Sequence, residues 1–304
     1  MKALYDVPAP AKLNLFLHIT GRRADGYHLL QTVFRFVDLQ DTLHIEARGD
    51  GRIVRATDLP GVPEKDDLTV RAALALQRAT GVRAGASIAI EKRIPQGGGL
   101  GGGSSDAASV LIALNRLWNT GLDRAQLMRL ALPLGADVPV FVFGQSAFAE
   151  GVGERLTAVA LPERAYLLAM PPTSVPTASV FAAKDLTRDT KPVTIADFSE
   201  VLDSRFGRND LESVVFARHP VVRQASQALA RCGVASRMSG SGACLFAEFP
   251  SMDEATLAQR EIAVKMRVAD PDAHRREDSP GSCIAWTWAC QGLSEHPLRN
   301  WIAS

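Results

Sequence analysis

The chain has 304 residues, of which 34 are basic and 33 acidic, and 46% of its residues are hydrophobic. This length is typical of two domains, and the hydrophobic content excludes an intrinsically disordered chain. The net charge of +1 gives no global field that would attract nucleic acid or an anionic membrane, and no apolar run reaches the roughly 18 residues of a membrane-spanning helix.

The N-terminus and the cysteines bear on cellular location. Residues 1–6 lack the apolar core of a signal peptide and the composition of a transit peptide. No two cysteines have CxxC spacing, so the sequence predicts buried, reduced thiols instead of a disulfide framework or a zinc site. The cysteines are Cys232, Cys244, Cys283 and Cys290. We therefore expect a cytoplasmic protein without a membrane partner.

The first predicted element is a strand. Its apolar residues recur at every second position, the period of a strand with one face against a core. These residues are Leu13, Leu15, Leu17 and Ile19. Lys12 and Asn14 then project together from the opposite face. A turn signal at residues 25–26 follows, and residues 32–37 and 42–47 are predicted to form two further strands of a meander.

A helix and a strand precede the most unusual segment of the chain. Residues 68–80 predict a helix that ends at Gly81, and residues 86–92 predict a strand. Residues 97–103 then contain six glycines, interrupted only by Leu100. Apolar residues recur behind this segment at i, i+3, i+4 and i+7, which predicts a buried amphipathic helix. Its N-cap is expected to be Ser104, Ser105 or Asp106.

The glycine-rich segment favours a phosphate site. Glycines allow backbone conformations that a Cβ would forbid, and a helix N-terminus directs several N–H groups and a partial positive charge at one point. A flexible linker is disfavoured, because a strand precedes the glycines and a helix follows at once. The dinucleotide-binding pattern formally matches Gly97, Gly99 and Gly102, with Asp123 about 20 residues further on. That match is weak, because any glycine run generates it and Asp123 is expected to cap a helix.

Other phosphate-binding and hydrolase motifs are missing from the sequence. A P-loop would need Gly-Lys-Ser/Thr, and the catalytic motifs of protein kinases do not occur. The nucleophile elbow of acyl hydrolases is absent too.

The rest of the chain predicts a second α+β unit. Residues 123–132 are expected to form a helix and residues 140–143 an apolar strand. We place a boundary near residues 154–163, with domains at 1–158 and 159–304. In the second half, helices are predicted at about 175–185, 195–202, 211–217, 221–232 and 253–266, and strands at 166–170, 244–249 and 283–289. Residues 274–278 are interpreted as a solvated loop.

Four ordered motifs carry a resemblance that extends from about residue 8 to residue 301. They lie at residues 10–15 together with 25–28, at 95–108, at 135–141 and at 239–243. Together they resemble the GHMP kinase superfamily and, within it, the family that phosphorylates 4-diphosphocytidyl-2-C-methyl-D-erythritol in the non-mevalonate isoprenoid pathway.

The resemblance implies a fold and a reaction. The fold would be α+β, with an N-terminal domain like domain 2 of ribosomal protein S5 and a ferredoxin-like C-terminal domain. ATP and a small-molecule substrate would bind in the cleft, with Mg²⁺ as cofactor. The γ-phosphoryl group of ATP would pass to the 2-hydroxyl of the substrate, with Asp137 as the general base and Lys12 as its cationic partner. From the residues alone, Asp137 fits a turn equally well and Lys12 a solvated strand face.

The resemblance also assigns binding residues. Those for ATP are Pro95, Gly97, Gly98, Gly99, Leu100, Gly101, Gly102, Gly103, Ser104, Ser105 and Asp67. Those for the cytidine-bearing substrate are Asn14, Tyr27, His28, Thr177, Phe181, Gly240, Ser241 and Gly242. Tyr27 offers a face for stacking and His28 hydrogen bonds to a pyrimidine edge. Phe181 would be a second stacking aromatic, although a core position on a helix is the alternative.

The sequence departs from the family pattern at two positions. Asp67 stands where the family usually has asparagine near the adenine, and an ionised aspartate cannot donate a hydrogen bond. Gly98 stands where alanine is common, which makes the loop more permissive. For Lys92 two positions are open from the sequence: near the nucleotide, or at the protein surface. No firm magnesium ligand emerges, and Ser105 is only a candidate.

Two alternatives stay open at the level of the sequence. A sister enzyme of the superfamily, either another small-alcohol kinase or a diphosphate decarboxylase, is disfavoured by residues 25–28, because those substrates carry no cytosine. A non-catalytic nucleotide- or RNA-binding module is disfavoured by the charge balance and by the pair Lys12 and Asp137. We expect no nucleic-acid partner, and a monomer or weak homodimer.

Overall fold

The computed structural model describes residues 2–201, 206–266 and 282–302. The strands are β1 (Ala3–Arg22), β2 (His28–Arg48), β3 (Ile53–Arg55), β4 (Gly85–Glu91), β5 (Ala147–Glu150), β6 (Arg155–Ala158), β7 (Ala165–Met170), β8 (Arg237–Met238), β9 (Leu245–Phe249) and β10 (Trp286–Leu293). The helices are α1 (Leu68–Thr80), α2 (Gly102–Leu117), α3 (Arg124–Ala131), α4 (Val138–Phe143), α5 (Thr177–Phe181), α6 (Ile195–Ser199), α7 (Glu212–Arg218), α8 (Pro220–Arg231) and α9 (Met252–Met266). Short 3₁₀ turns lie at Glu64–Asp66 and Arg299–Trp301.

Strand β2 organises the first half of the molecule. It pairs antiparallel with β1 along almost its whole length, with β4 through its last third and with β5 near its start. The alternating apolar residues predicted at positions 13–19 face one core together, and Lys12 and Asn14 emerge from the other face, as expected.

The meander predicted at residues 32–47 is one strand, so the predicted break was wrong. Asp38 and Asp41 lie between the two predicted strands, and tertiary partners satisfy both carboxylates within the single strand. The Asp41 carboxylate accepts the backbone N–H groups of Arg93 at 2.6 Å and Ile94 at 2.8 Å. Asp38 accepts the backbone N–H of Gln291 at 2.9 Å. Buried polar groups are tolerated where they are hydrogen-bonded in this way.

Strand β10 joins the two halves. Through the described residues the sheet runs in the order β3-β4-β2-β10-β7-β9-β8. Gly292 and Leu293 of β10 pair with Val37 and Phe36 of β2, and earlier residues of β10 pair with β7. The predicted division at residues 158 and 159 stays a prediction, because this sheet continues across both halves.

Most predicted elements of the first half are confirmed. Helix α1 has the predicted bounds and ends at Gly81, which adopts a left-handed conformation. Asp123 caps α3 with a capping box, which confirms its structural role. The predicted strand at residues 140–143 is helix α4, with Pro139 in its first turn and Gly144 as its left-handed C-cap. A short apolar run has no periodicity that separates the two structures.

The second half contains shorter helices than predicted. Helix α5 covers only five of the residues predicted at 175–185, and α6 ends at Ser199. The last predicted strand is shifted to β10, which begins at Trp286. The predicted loop at residues 274–278 lies outside the described residues.

The thiol prediction is confirmed in part. All four cysteines are free; Cys244 and Cys290 are buried, whereas Cys232 and Cys283 are half-buried. Burial raises the pKa of Cys244 to about 12. Within the described ranges, no helix combines the length and apolar character needed to cross a bilayer. The cytoplasmic location stays a prediction.

Candidate active site

A cavity of about 860 Å³ lies between the glycine-rich segment, the strands β1 and β2, and the segments around α4, α5 and Gly240. Most of the residues predicted to bind substrates line it. They are Lys12, Asn14, Tyr27, His28, Pro95, Gly97, Gly98, Gly99, Leu100, Gly101, Gly102, Gly103, Ser104, Asp137, Thr177, Phe181, Gly240 and Ser241. Residues from all four sequence motifs are therefore brought to one cavity, although up to 225 positions of chain separate those in direct contact.

The N-cap predicted for α2 was wrong. The helix begins at Gly102, and its N-cap is Gly101, with φ 74° and no side-chain hydrogen bond. The carbonyl of Gly101 accepts the N–H of Ser105 at 2.8 Å. Because no side chain caps the first turn, its N–H groups stay available at the cavity. This arrangement suits an anion such as a phosphate.

The glycine-rich segment is tied by its backbone to the fourth motif, residues 239–243, and to Cys244 beside it. The carbonyls of Gly97 and Gly98 accept the N–H groups of Ala243 and Cys244, both at 3.1 Å. A Cβ on Gly99 would lie 2.2 Å from the Ser239 carbonyl oxygen. The close approach of these two backbones therefore explains why glycine is required there.

Lys12 is held at the centre of the cavity. Its buried Nζ donates to Asn14 Oδ1 at 2.5 Å and to the Gly99 carbonyl at 2.9 Å. It lies 3.3 Å from Asp137 Oδ2 and 5.6 Å from the centre of the Phe34 ring. The predicted pair of Lys12 and Asp137 is thus formed, and the ammonium group also anchors the glycine-rich segment.

Asp137 is the accessible member of this pair. It stands at the N-terminus of α4, not beside a strand, and 37% of its side chain is exposed, against 3% for Lys12. A carboxylate in this position reaches the cavity while its charge is neutralised from behind.

Aromatic side chains lie at the other end of the cavity. Tyr27 is 63% exposed, so its ring is free to cover a ligand. The rings of His28 and Phe181 have centres 5.2 Å apart and are tilted by 41°. The hydroxyls of Thr177 and Ser241 hydrogen-bond each other at 2.7 Å. Val152 and Gly153 also line this region.

Three predicted binding residues do not line the cavity. Ser105 is fully buried and its hydroxyl has no partner. Gly242 lies behind Ser241 and close to the Met238 sulphur. Asp67 caps α1 by accepting the N–H of Thr69 at 2.8 Å, and its second oxygen pairs with Arg55 at 3.1 Å. Both carboxylate oxygens of Asp67 are therefore engaged inside the protein.

The sequence did not indicate the buried charge cluster behind the glycine-rich segment. Lys92, which lines the cavity, pairs with Asp41 and, at 2.6 Å, with Asp106. Burial, opposed by Lys92 and reinforced by Asp41, raises the pKa of Asp106 to about 7. Asp106 Oδ1 has no hydrogen-bond partner. Asp41 and Asp106 lie on different elements, so no local spacing could have revealed the cluster.

Asn209 is a second residue that sequence reasoning missed. Its amide donates to the carbonyls of Met238 at 2.8 Å and Gly240 at 2.7 Å. It therefore holds the backbone of the fourth motif, residues 239–243, in place.

Side chains of the described residues give no ready-made magnesium site. No group of three or more His, Cys, Asp or Glu residues among them has the arrangement needed to hold a metal ion. Ser105, the candidate from the sequence, is buried away from the cavity. The described side chains therefore do not form a magnesium site by themselves.

Known proteins that resemble this chain identify its family. The chain matches the GHMP kinases N terminal domain over residues 67–145 and the GHMP kinases C terminal model over residues 196–267. It is 68% identical over 301 residues to a 4-diphosphocytidyl-2-C-methyl-D-erythritol kinase of Bordetella parapertussis, and the match covers 99% of each chain. The chain belongs to the 4-diphosphocytidyl-2-C-methyl-D-erythritol kinase family. It is an ATP-dependent kinase of the GHMP type.

Further matches place this family member among its relatives. An enzyme of the same name from Aromatoleum aromaticum is 52% identical, with 98% of this chain and 97% of that protein covered. A crystal structure of 4-(cytidine 5'-diphospho)-2C-methyl-D-erythritol kinase has a TM-score of 0.76 at 34% identity, and the match covers 95% of this chain and 98% of that one. A homoserine kinase from Cytophaga hutchinsonii, with a TM-score of 0.68 at 14% identity over 97% and 96% of the chains, shares the fold alone. The predicted two-domain α+β class of GHMP kinases is confirmed.

Proposed function

We propose that this kinase transfers the γ-phosphoryl group of ATP to the 2-hydroxyl of 4-diphosphocytidyl-2-C-methyl-D-erythritol. The observation that carries the proposal is the position of Lys12 and Asp137. They lie 3.3 Å apart in one cavity, with the glycine-rich segment on one side and the aromatic residues on the other. The acceptor named for the relatives carries a cytidine diphosphate, which matches the aromatic end of the cavity in chemical character.

The phosphates of ATP would bind at the glycine-rich segment. The uncapped first turn of α2 presents backbone N–H groups there, and glycines let the backbone approach closely. The contacts of Gly97, Gly98 and Gly99 with residues 239–244 keep the segment in place before the nucleotide arrives. Such preorganisation supports in-line positioning, on which phosphoryl transfer depends.

Asp137 would act as the general base. Its carboxylate takes the proton of the 2-hydroxyl as the hydroxyl oxygen bonds to the γ-phosphorus, and the bond from that phosphorus to the β,γ-bridging oxygen breaks. The products are the phosphorylated acceptor and ADP. Lys12 pairs with the Asp137 carboxylate at 3.3 Å and would offset negative charge on the moving phosphoryl group. Asn14 accepts a hydrogen bond from Lys12 and lies beside this pair, at the part of the cavity where the phosphoryl group would be transferred.

The cytosine ring would bind between Tyr27 and Phe181, with His28 at its edge. Stacking on both faces is favourable for a flat, polar ring and costs little side-chain entropy. Thr177 and Ser241, whose hydroxyls already contact each other, offer hydrogen bonds to the remainder of the substrate.

Asp67 would have no direct role in adenine recognition. Its carboxylate is used by Thr69 and Arg55, so it is a helix cap and an ion-pair partner in this chain. Mg²⁺ would come with the nucleotide and be held by phosphate oxygens and water, and it would neutralise phosphate charge.

Phosphoryl transfer from labelled ATP-Mg to 4-diphosphocytidyl-2-C-methyl-D-erythritol tests the proposal. We expect labelled product from wild type and a fall in kcat of about 100-fold or more for Asp137→Asn, because a general base is lost. The control is Asp185→Asn, which changes an exposed carboxylate outside the cavity and should leave kcat unchanged. If the folded wild-type protein yields no product, the assignment of the substrate is wrong. If the Asp137→Asn variant keeps its full kcat, the assignment of Asp137 as the general base is wrong.

A further inference from the structure

Arg188 lies directly behind the aromatic end of the cavity. Its Nη1 donates to the Leu186 carbonyl at 3.0 Å, and its Nη2 donates to the carbonyls of Ala183 at 2.5 Å and Phe181 at 3.3 Å. Its Nε donates to His28 Nε2 at 3.0 Å. Each of the three guanidinium nitrogens thus donates to a fixed acceptor, and the side chain links β2 to the end of α5.

This contact determines the hydrogen-bonding state of His28. A guanidinium has donors and no acceptor, so His28 Nε2 must offer its lone pair. A neutral imidazole carries one proton, which is then on Nδ1. Burial, followed by the positive charges of Arg188 and Arg22, lowers the pKa of His28, so the neutral form prevails near neutral pH.

Nδ1, the second ring nitrogen of His28, is available to a ligand. His28 lines the cavity, and no hydrogen-bond partner for Nδ1 is found in the part of the chain that the structure describes. The ring lies beside Phe181, whose carbonyl is bound by the same arginine. A donor at Nδ1 therefore stands next to a surface suited to stacking.

We propose that Arg188 is a positioning residue that fixes His28 in its Nδ1–H tautomer and gives the cavity a hydrogen-bond donor for an acceptor atom on a pyrimidine edge. The ligand class rests on the proposed function, whereas the tautomer rests on the structure alone. A carbonyl oxygen or an unprotonated ring nitrogen of cytosine would accept this hydrogen bond. The Nε2–H tautomer would present a lone pair there and reject such an atom.

Two further charged groups bear on His28 from neighbouring elements. Arg22 of β1 lowers the pKa of His28, and its Nε donates to the Gly26 carbonyl at 3.1 Å. Asp25, which lines the same cavity, pairs with Arg23 at 2.7 Å. Among the described residues, Arg188 is the charged group that hydrogen-bonds to the ring.

The decisive measurement is the nitrogen NMR spectrum of the ligand-free protein labelled at histidine, with His28→Gln used to assign the signals. In wild type we expect His28 to be protonated at Nδ1 and to stay neutral at pH 6.5. In Arg188→Met the tautomer should move towards Nε2–H and the pKa should rise, while Arg188→Lys should restore part of the Nδ1–H form. Arg218→Met is the matched control, because Arg218 donates to the Ser179 carbonyl of α5 and makes no contact with His28.

Kinetics separate this role from a general loss of structure. The Arg188→Met change should raise KM for 4-diphosphocytidyl-2-C-methyl-D-erythritol about 5- to 10-fold, the value of one hydrogen bond, with kcat changed less than about 2-fold. Its KM should also rise more steeply than that of wild type as pH falls from 7.5 to 6, because the His28 pKa, lowered first by burial, is lowered further while Arg188 is present.

The two proposals fail in different ways. An Nε2–H tautomer or a charged His28 in the wild-type protein at pH 6.5 would overturn the inference whatever the substrate. An unchanged tautomer and KM in Arg188→Met would overturn it too. The predicted spectrum together with no turnover of the cytidine substrate would leave the role of Arg188 in place and overturn the proposed function.

Discussion

At the scale of single residues, the charged side chains of the site differ in how deeply they are buried. Lys12 is buried and Asp137 is accessible, so the pair exposes its acidic member to the cavity. Lys92 is held instead between two buried carboxylates, Asp41 and Asp106, which leaves the cluster with excess negative charge when all three are ionised. Burial of like charges makes protonation of one carboxyl favourable.

The buried cluster predicts a particular pH dependence. The pKa of Asp106 is raised by folding, so its protonation stabilises the folded state below the ordinary carboxyl value, and this contribution is lost as pH rises towards about 7. Asparagine mimics the protonated form at every pH. The free energy of unfolding of wild type, relative to Asp106→Asn, should therefore fall by about 1 kcal/mol or more between pH 4.5 and pH 8. Urea unfolding at several pH values measures this difference.

An exposed carboxylate provides the comparison for that experiment. Asp253 lies exposed in the first turn of α9, and its Asp253→Asn variant should differ from wild type by an amount that changes little over the same pH range. A wild-type stability that rises relative to Asp106→Asn with increasing pH would contradict the prediction.

At the scale of elements, the glycine-rich segment combines two requirements. Gly99 adopts φ 75° and approaches the Ser239 carbonyl, so both conformation and space exclude a side chain. Gly103, four residues later, lies in the first turn of α2, and an added Cβ would meet only Leu68, at 3.7 Å. Glycines of the same run therefore have different structural roles.

Alanine substitutions distinguish these glycines. Gly99→Ala should lower the free energy of unfolding by about 2–4 kcal/mol, because it combines an unfavourable φ with a clash against backbone. Gly103→Ala should leave it unchanged or raise it by up to about 1 kcal/mol, since alanine favours a helix. Chemical unfolding of the ligand-free proteins measures both. Equal losses of unfolding free energy in the two variants would show that the close contact between Gly99 and Ser239 does not cause the loss in Gly99→Ala.

At the scale of the whole molecule, the two halves are joined through a tightly packed contact. Gly292 of β10 pairs with Val37 of β2, and a Cβ on it would lie 2.5 Å from Arg35 Nε. Arg35 is fully buried, so its guanidinium has little room to move. The cavity also takes its lining from both halves, so this joint helps to fix the distance between Asp137 and the substrate-binding residues.

A methyl group added at Gly292 should lower the stability of the entire fold. Gly292→Ala is expected to lower the free energy of unfolding by about 1–3 kcal/mol through overpacking. Gly49→Ala is the control, because an added Cβ there meets nothing within 4 Å and should change stability by less than about 0.5 kcal/mol. Denaturation followed by both fluorescence and circular dichroism measures the effect. A Gly292→Ala variant as stable as wild type would show that the Arg35 side chain can move aside without a cost in stability.

The sequence by itself determined the elements whose signals are local. Period-two apolar residues identified β1, the glycine C-cap identified the end of α1, and the glycine run with its helix indicated the phosphate site. The four motifs identified the family and most of the residues that line the cavity. Each local signal, and each motif taken singly, lies within about 20 positions of chain, whereas the family resemblance depends on the four motifs together.

Only the tertiary structure decided which polar groups satisfy one another. Arg188 reaches His28 across 160 positions, and Lys92 reaches Asp41 across 51. Asp67 is a helix cap paired with Arg55. Gly101 is the cap of α2, and Ser105 and Asp106 lie buried inside the helix that follows it. A hydrogen bond depends on the distance between its atoms, and packing, not spacing along the chain, brings these atoms together.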